Sequence, residues 1–422
     1  MKVLKFGGTS VGSAQRMKEV AKLITDGERK IVVLSAMSGT TNTLVEISDY
    51  LYKKNPEGAN EIINKLESKY RQHIDELFAT PEYKQKGLEL IKSHFDYIRS
   101  YTKDLFTLFE EKVVLAQGEL ISTAMMNYYL QECGVKSVLL PALEYMRTDK
   151  NAEPDPVYIK DKLQVQLELH PDAEIYITQG YICRNAYGEI DNLQRGGSDY
   201  TASLIGAAIN ASEIQIWTDI DGMHNNDPRI VDKTAPVRHL HFEEAAELAY
   251  FGAKILHPTC IQPAKYANIP VRLLNTMDPT APGTLISNDT EKGKIKAVAA
   301  KDNITAIKIK SSRMLLAHGF LRKVFEIFES YQTSIDMICT SEVGVSVSID
   351  NVKHLNEILD DLKKYGTVTV DKDMCIICVV GDLEWENVGF EAKALDAMRD
   401  IPVRMISFLS LIHISEPTRR RG

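Results

Sequence analysis

A glycine-containing segment near the start of the chain has the residue types of an anion-binding turn. Lys5–Gly12 reads KFGGTSVG and begins at the end of the apolar run Val3–Phe6. Glycines between a strand and a helix let backbone N–H groups approach an anion, which the helix N-terminus also attracts. Lys5 adds a point charge at the end of the strand. The spacing fits neither GxxxxGK[ST] nor GxGxxG, so this segment alone is also consistent with an ordinary strand-to-helix turn.

A second segment of this kind lies in the middle of the chain. Leu193–Ala202 reads LQRGGSDYTA, and its Asp199 opens an apolar helix. The glycine pair therefore again precedes a helix N-terminus. Arg195 suits a carboxylate, because a guanidinium can donate two parallel hydrogen bonds to it. Two such segments in one α/β domain predict two anionic ligands, a nucleotide and an acid.

Other polar segments follow predicted strands or precede predicted helices. They are Ser35–Asn42, Gln117–Glu119, Thr178–Tyr181, Thr218–Gly222, Asn226–Arg229, Gly252–Lys254 and His257–Pro258. Each alone is typical of turns. Ligands of α/β sheets bind outside the carboxyl ends of the strands, so the shared position of these segments favours a single site.

The elements that would position these segments alternate between strand and helix over about the first 290 residues, which predicts an α/β domain. The predicted strands are Val3–Phe6, Ile31–Ser35, Ser137–Leu140, Glu174–Thr178, Glu213–Thr218 and Pro270–Leu274. Residues from about 59 to 111 are charged and have no strand pattern. We interpret them as a helical insertion that caps one end of the sheet.

The pattern changes near residue 300 to the ferredoxin-like order β-α-β-β-α-β. The predicted elements are Ile304–Lys308, Gly319–Tyr331, Ile335–Thr340, Val343–Ile349, His354–Lys364 and Gly366–Val370. A second copy begins with Met374–Val380, Val388–Arg399 and Val403–Ser407 and stops after these three elements, which indicates an internal repeat.

Composition and charge exclude several classes of partner. The chain carries a net charge of −8 with 44% hydrophobic and 26% charged residues, so no general affinity for nucleic acid or anionic membrane is expected. No apolar run has the length of a signal peptide or a membrane span, which predicts a cytoplasmic protein. Cys375 and Cys378 would point to opposite faces of one strand, so we interpret them as buried thiols rather than as a metal site.

The segment Lys5–Gly12 resembles the KFGGTSV signature of aspartokinases. Further segments match that family in order and spacing: Ser35–Asn42, Gly118–Glu119, Arg195–Asp199, Trp217–Asp219, Asp227–Arg229 and Phe251–Pro258. The resemblance covers about residues 1–408, and the ferredoxin-like repeat is similar to the paired ACT regulatory domains of the family. It implies a three-layer αβα amino-acid kinase domain over 1–292, a complete ACT domain over 302–371 and a truncated second ACT domain over 372–408.

The resemblance also implies a reaction and its site. ATP with Mg²⁺ would phosphorylate the side chain of L-aspartate, the first step toward lysine, threonine and methionine. The implied ATP-binding residues are Lys5, Gly7, Gly8, Thr218, Asp219, Arg229 and Lys254. Lys5 and Asp199 would be catalytic. Aspartate would be surrounded by Ser35, Thr41, Glu119, Tyr181, Arg195 and Ser198, with Arg195 on its α-carboxylate and Glu119 on its α-ammonium. No protein ligand for the metal is implied.

Regulation is implied in the same way. An effector amino acid, lysine as the first expectation, would bind Met314, Gly319, Phe320, Leu321, Asp336, Thr340, Ser341 and Glu342, in a homodimer formed through the ACT domains. Residues 409–422 do not match the family. We interpret them as a non-native-looking tail and exclude them from the predicted fold, with a natural basic tail as the alternative.

Two other functions remain open at this stage. Another amino-acid kinase could act on glutamate, acetylglutamate, carbamate or UMP, but the ACT repeat and the KFGGTSV segment favour an aspartokinase. A non-catalytic amino-acid sensor would be expected to lack Lys5, Arg195 or Asp199, and all three are present.

Overall fold

The computed structural model describes residues 1–103, 105–193, 196–251, 256–289, 291, 293–311, 318–381, 389–408 and 412–417. The chain divides into two compact units. The first comprises residues 1–223, 236–246 and 255–289, and the second comprises residues 224–235, 247–254 and 290–422. No helix in the described ranges is both long and apolar enough to cross a membrane.

The first unit is built around one large sheet and a small hairpin. Its strands are β1 (Lys2–Phe6), β2 (Lys30–Leu34), β3 (Ser137–Leu140), β4 (Ile175–Gln179), β5 (Ile182–Arg184), β6 (Ile190–Asn192), β7 (Ile214–Thr218), β8 (His239–His241), β9 (Val271–Asn275) and β10 (Thr284–Ser287). Its helices are α1 (Ala14–Ile24), α2 (Thr40–Tyr52), α3 (Pro56–Leu77), α4 (Pro81–Ser100), α5 (Leu108–Glu132), α6 (Ala142–Tyr145), α7 (Pro156–Glu168), α8 (Gly197–Ile209), the first half of α9 (Phe242–Phe251) and α10 (Gln262–Tyr266).

The large sheet has the order β3-β4-β2-β1-β7-β9-β10-β8. Its neighbours pair in parallel, except for the antiparallel pair β9 and β10. Every residue of β2 is buried, as expected for a parallel strand covered on both faces. The predicted α/β class is confirmed, and each of the six predicted strands lies within about a residue of an observed one.

The region predicted as a helical insertion contains α3 and α4. Asn55 caps α3 by accepting a hydrogen bond from the Gly58 N–H, and Pro56 occupies the first turn. Ile63, Leu66, Tyr70 and Ile74 are all buried, at the spacing of one helix face. This face anchors α3 on the rest of the unit.

The second unit contains a six-stranded sheet and three helices among the described residues. Its elements are β11 (Ile295–Lys310), α11 (Phe320–Ser330), β12 (Met337–Ser341), β13 (Gly344–Ile349), α12 (Leu355–Lys363), β14 (Thr367–Gly381), α13 (Phe390–Ala397), β15 (Met405–Phe408) and β16 (Ile412–Pro417). The sheet order is β12-β13-β11-β14-β16-β15. The first six elements confirm the predicted ferredoxin-like order.

The boundary between the two repeats differs from the sequence expectation. Gly366–Val370 and Met374–Val380 were expected as separate strands on either side of residue 371, but one strand, β14, runs through both. It pairs along β11, with register shifts between Lys301 and Ala306. Irregularities of this kind let a strand bend and continue, so residues 295–301, expected outside both repeats, pair with the second half of β14.

The tail also differs from its expectation. Residues 409–422 were excluded from the predicted fold, but β16, formed by residues 412–417, pairs antiparallel with both β14 and β15. Strand pairing is satisfied by backbone groups at an open sheet edge. A strand can therefore form here although residues 409–422 lack the side-chain pattern of the family.

Candidate active site

A cavity of about 400 Å³ lies where β1, β2 and β4 end. This is the carboxyl edge of the parallel sheet, where ligands of α/β folds bind. The cavity is lined by Gly8, Ser35, Ala36, Met37, Ser38, Gly39, Thr41, Asn42, Glu119, Tyr181, Gly197 and Ser198. The structure thus brings together five of the six residues for which the resemblance implies contact with aspartate, and Gly8 from the proposed phosphate turn.

Lys5 and Asp199 form an ion pair next to these residues. The Lys5 Nζ lies 2.7 Å from the Asp199 Oδ1, and both side chains are only about one-eighth exposed, at 12% and 13%. Lys5 is the fourth residue of β1, and Asp199 lies in the first turn of α8. A Cβ built on Gly7 would lie 3.5 Å from the Lys5 ammonium, so the glycine turn passes directly beside this charge.

Close packing joins the phosphate turn to the segment after β2. The Ser38 N–H donates to the Gly8 carbonyl over 3.1 Å. A Cβ on Gly8 would come within 2.8 Å of the Ala36 carbonyl oxygen. Only glycine fits this approach, and the two packed segments form one wall of the cavity.

Two helix N-termini at the cavity carry glycine caps. Gly39 precedes α2 and Gly196 precedes α8, with φ of 82° and 75°, and neither helix has a side-chain cap. First-turn N–H groups without a side-chain partner bind anions readily, helped by the helix dipole. The Ser35 hydroxyl donates to the Ser198 Oγ over 2.9 Å and links the two segments.

Glu119 carries a buried carboxylate at the cavity. Its Oε1 accepts a hydrogen bond from the Ala36 N–H over 3.2 Å. Its Oε2 has no hydrogen-bond partner among the described residues. Burial raises the pKa of Glu119 to about 7, against the smaller effect of the Ala36 bond. A buried carboxylate oxygen without a partner is costly, so this site is prepared for a ligand that donates hydrogen bonds.

The residues implied for the nucleotide are distributed differently. Thr218 ends β7 and its hydroxyl donates to the Ile220 carbonyl over 3.2 Å, with Asp219 next in the chain. Arg229 belongs to the second unit, where it pairs with Asp227 over 2.6 Å. Lys254 of this set and Arg195 of the aspartate set lie outside the described residues, and their roles stay predictions.

Residues of α3, among them Lys69 and Tyr70, contact the site segments, although no sequence pattern placed them there. The Lys69 ammonium donates to the Ser38 carbonyl over 3.1 Å. The Tyr70 hydroxyl and the Thr40 Oγ1 are 2.8 Å apart. The helical spacing of Tyr70 signals burial, but no local pattern names the loop that it meets.

The residues implied for the effector lie in the second unit. Gly319 caps α11 with a φ of 84°, Phe320 is buried and Leu321 is exposed, while Thr340, Ser341 and Glu342 are exposed at the end of β12 and in the following turn. Met314 lies outside the described residues.

Asp336 is the acidic residue of this set whose side chain is buried. Its side chain is fully buried, and burial raises its pKa. Its Oδ1 accepts hydrogen bonds from the Tyr250 hydroxyl over 2.5 Å and from the Lys301 ammonium over 3.4 Å. Lys301 also pairs with Asp350 over 2.8 Å. The Asp336 Oδ2 has no hydrogen-bond partner among the described residues.

Comparison with known proteins places this site in a family. Residues 1–275 match the model of the amino acid kinase family. The chain is 36% identical to aspartokinase 1, chloroplastic, of Arabidopsis thaliana, over 96% of this chain and 75% of that protein. It is 31% identical to lysine-sensitive aspartokinase 3 of Escherichia coli (strain K12), over 97% of this chain and 94% of that protein.

The fold agrees with the sequence comparison. The crystal structure of E. coli aspartokinase III in complex with aspartate and ADP (R-state) matches with a TM-score of 0.84 at 30% identity, over 99% of this chain and 96% of that one. The structure of the same enzyme in complex with lysine and aspartate (T-state) matches with a TM-score of 0.79 at 32% identity, over the same shares. The chain therefore belongs to the amino acid kinase family and, within it, to the aspartokinases. This confirms the resemblance drawn from the sequence.

Proposed function

We propose that this protein transfers the γ-phosphoryl group of ATP to the side-chain carboxylate of L-aspartate, which yields 4-phospho-L-aspartate and ADP. One observation carries the proposal: the cavity combines an unpartnered Glu119 carboxylate oxygen with two helix N-termini that lack a side-chain cap. The carboxylate suits the α-ammonium of an amino acid, and the N-termini suit its carboxylates and the nucleotide phosphates. The aspartate and ADP bound to the E. coli relative support the same assignment.

The chemical step needs positive charge more than it needs a base. The aspartate side chain has a reference pKa of about 3.9 and is already ionised at neutral pH. One of its oxygens forms a bond to the γ-phosphorus as the bond to the bridging oxygen breaks, and that electron pair leaves with ADP. Two anions approach one another in this step, so a preorganised cation and oriented N–H groups lower its barrier. Lys5, fixed by Asp199, is placed to supply that cation.

Magnesium would enter with the nucleotide. Mg²⁺ in such sites is bound chiefly by phosphates and water, and it neutralises phosphate charge. The described residues contain no group of three or more His, Cys, Asp or Glu side chains that could hold a metal ion. Because phosphates and water can complete its coordination, the proposal needs no protein ligand for it.

The substrate assignment predicts selectivity for an α-amino acid. Release of ADP from ATP-Mg should occur with L-aspartate, while succinate, which lacks the ammonium group, should give a kcat/KM at least about tenfold lower. Glutamate, N-acetylglutamate and UMP, in the same coupled assay, test the other amino-acid kinases. Equal rates on aspartate and succinate would remove Glu119 from ammonium recognition, and turnover of none would favour the non-catalytic sensor.

Regulation by an amino acid is the finer part of the proposal, with lysine as the first effector to test. The lysine-bound relative and the free oxygen of buried Asp336 support it, because a carboxylate of this kind would accept a ligand ammonium. Formation of a homodimer through the ACT domains remains an expectation from the resemblance.

The effector proposal predicts a specific loss of inhibition. Asp336→Asn should raise the lysine concentration for half-inhibition by roughly tenfold or more, since one charged hydrogen bond is lost. Asp350→Asn is the matched control, because it removes a partner of Lys301 without changing the Asp336 carboxylate. Inhibition curves at fixed ATP and aspartate measure both. Equal shifts in the two variants would show that the Lys301 pairing, not effector contact, sets the response.

A further inference from the structure

One turn of α3 contacts both segments that form the wall of the cavity. Lys69 reaches the Ser38 carbonyl and Tyr70 reaches the Thr40 hydroxyl. His73, on the same turn, places its Nε2 3.4 Å from the Gly12 carbonyl oxygen, while its Nδ1 lies 2.7 Å from the Lys69 carbonyl oxygen. Three neighbouring side chains thus meet the phosphate turn and the segment after β2.

The contact between Tyr70 and Thr40 is sealed from water. Both residues are about 1% exposed. Burial raises the pKa of Tyr70 well above its usual range, against the smaller opposite effect of the Thr40 bond. The phenol therefore stays neutral, and its hydroxyl has Thr40 as its hydrogen-bond partner. If Thr40 moved away, both buried hydroxyls would lose this hydrogen bond, which is costly. The bond therefore holds Thr40 in position.

Thr40 also packs against the part of α5 that carries Glu119, the proposed ammonium-binding residue. On its other side, a Cβ built on Gly118 would come within 3.2 Å of the Thr40 Cγ2 and 2.7 Å of the Ala36 Cβ. Thr40 is therefore held between α3 and the part of α5 that carries Glu119. The Ala36 N–H, in the same segment as Thr40, donates to the Glu119 Oε1. A displaced Thr40 would disturb both that bond and the first turn of α2.

We propose that Tyr70 is a positioning residue of the phosphoryl-transfer site, and that α3 acts as a brace which holds the Ser35–Asn42 segment against Glu119. This inference rests on the proposed function, because it assigns aspartate to the cavity that the brace shapes. Tyr70 touches neither substrate nor the reacting atoms. It acts through Thr40, so its loss should weaken aspartate binding more than it slows the chemical step.

The test is Tyr70→Phe, with Tyr145→Phe as the matched control. Tyr145 is equally buried, and its hydroxyl lies 2.5 Å from the Thr178 Oγ1, so its hydrogen bond holds β4 rather than the Ser35–Asn42 segment. Tyr70→Phe should raise the KM for aspartate by roughly three- to tenfold and change kcat by less than about twofold. Tyr145→Phe should leave the KM for aspartate unchanged at a comparable loss in Tm.

A double-mutant cycle keeps the proposal testable if one variant folds poorly. Thr40→Val removes the other hydroxyl of the pair and keeps a branched side chain with the Cγ2 methyl that faces α5. The combination Tyr70→Phe/Thr40→Val should raise the KM no further than either single change, because both remove one interaction. Additive effects, or equal KM values in the parent and Tyr70→Phe, overturn the brace. Absence of aspartate turnover in the parent protein would instead overturn the proposed function.

Discussion

Lys5→Ala should lower kcat by roughly a hundred- to a thousandfold, the loss seen when one preorganised electrostatic contact is removed from an active site. Lys5 lies beside the glycine turn and is held by Asp199 at 2.7 Å. Its charge matters most when the two anions meet, so the KM for aspartate should change little. An equal fall in kcat and kcat/KM is the signature of an interaction made only in the transition state.

The control for this experiment is Lys2→Ala. Lys2 lies at the other end of β1 and pairs with Glu28 on the surface. Both variants lose one lysine from the same strand, so a difference in kcat isolates the position of Lys5. The melting temperature of Lys5→Ala must be measured too, because Asp199 loses its ion-pair partner. A change in kcat below about tenfold would make Lys5 a structural residue of β1 and would contradict the proposed step.

The sequence predicted those parts of the fold that depend on local pattern. The nearly continuous apolar runs of β1, β2 and β4 predicted the bounds of these strands to within about a residue. Strands that are covered on both faces are rich in apolar residues, so their pattern is visible in the sequence. The Lys5–Gly12 segment was located for a similar reason, since the close approach of Gly8 to Ala36 excludes any side chain.

Features that depend on contacts between residues far apart in the chain could not be predicted from local sequence patterns. Tyr70 and Thr40 meet across the fold, and nothing near either residue in the chain names the other. The single strand β14 was divided in two because the bulged pairing with β11 has no signature within β14 itself. The strand β16 is held by backbone pairing at the edge of β14, which side-chain patterns describe poorly.

Glu119→Gln should raise the KM for aspartate by roughly ten- to a hundredfold, the range expected when a hydrogen bond to a charged group is lost. Glutamine can still accept from the Ala36 N–H, so the segment after β2 keeps its bond. The side chain is then a neutral amide, however, so the substrate ammonium loses the negative charge of Glu119. The KM for ATP should stay within about twofold. Glu132→Gln, at the C-terminal end of α5, controls for general effects of losing a carboxylate from this helix.

The pH dependence gives this prediction a second readout. The pKa of Glu119 is raised to about 7 by burial, so the carboxyl is largely protonated at pH 6 and largely ionised at pH 8. Only the ionised form attracts the ammonium group, so kcat/KM for aspartate should rise roughly tenfold over this range and level off above it. Glu119→Gln should flatten that rise.

The stability of the fold should change with pH in the opposite direction to kcat/KM: it should fall as the pH rises. A group whose folded pKa lies above its unfolded value stabilises the fold below the unfolded pKa, and this contribution is lost as pH rises through the folded pKa. For Glu119 the window runs from its ordinary pKa of 4.5 to its raised pKa of about 7. Without aspartate, the parent should therefore lose more stability between these pH values than Glu119→Gln does, and aspartate should restore it. Thermal melts at several pH values, with and without aspartate, measure both effects. A parent and variant with parallel melts would show that Glu119 is ionised throughout, and the binding profile would then need another titrating group.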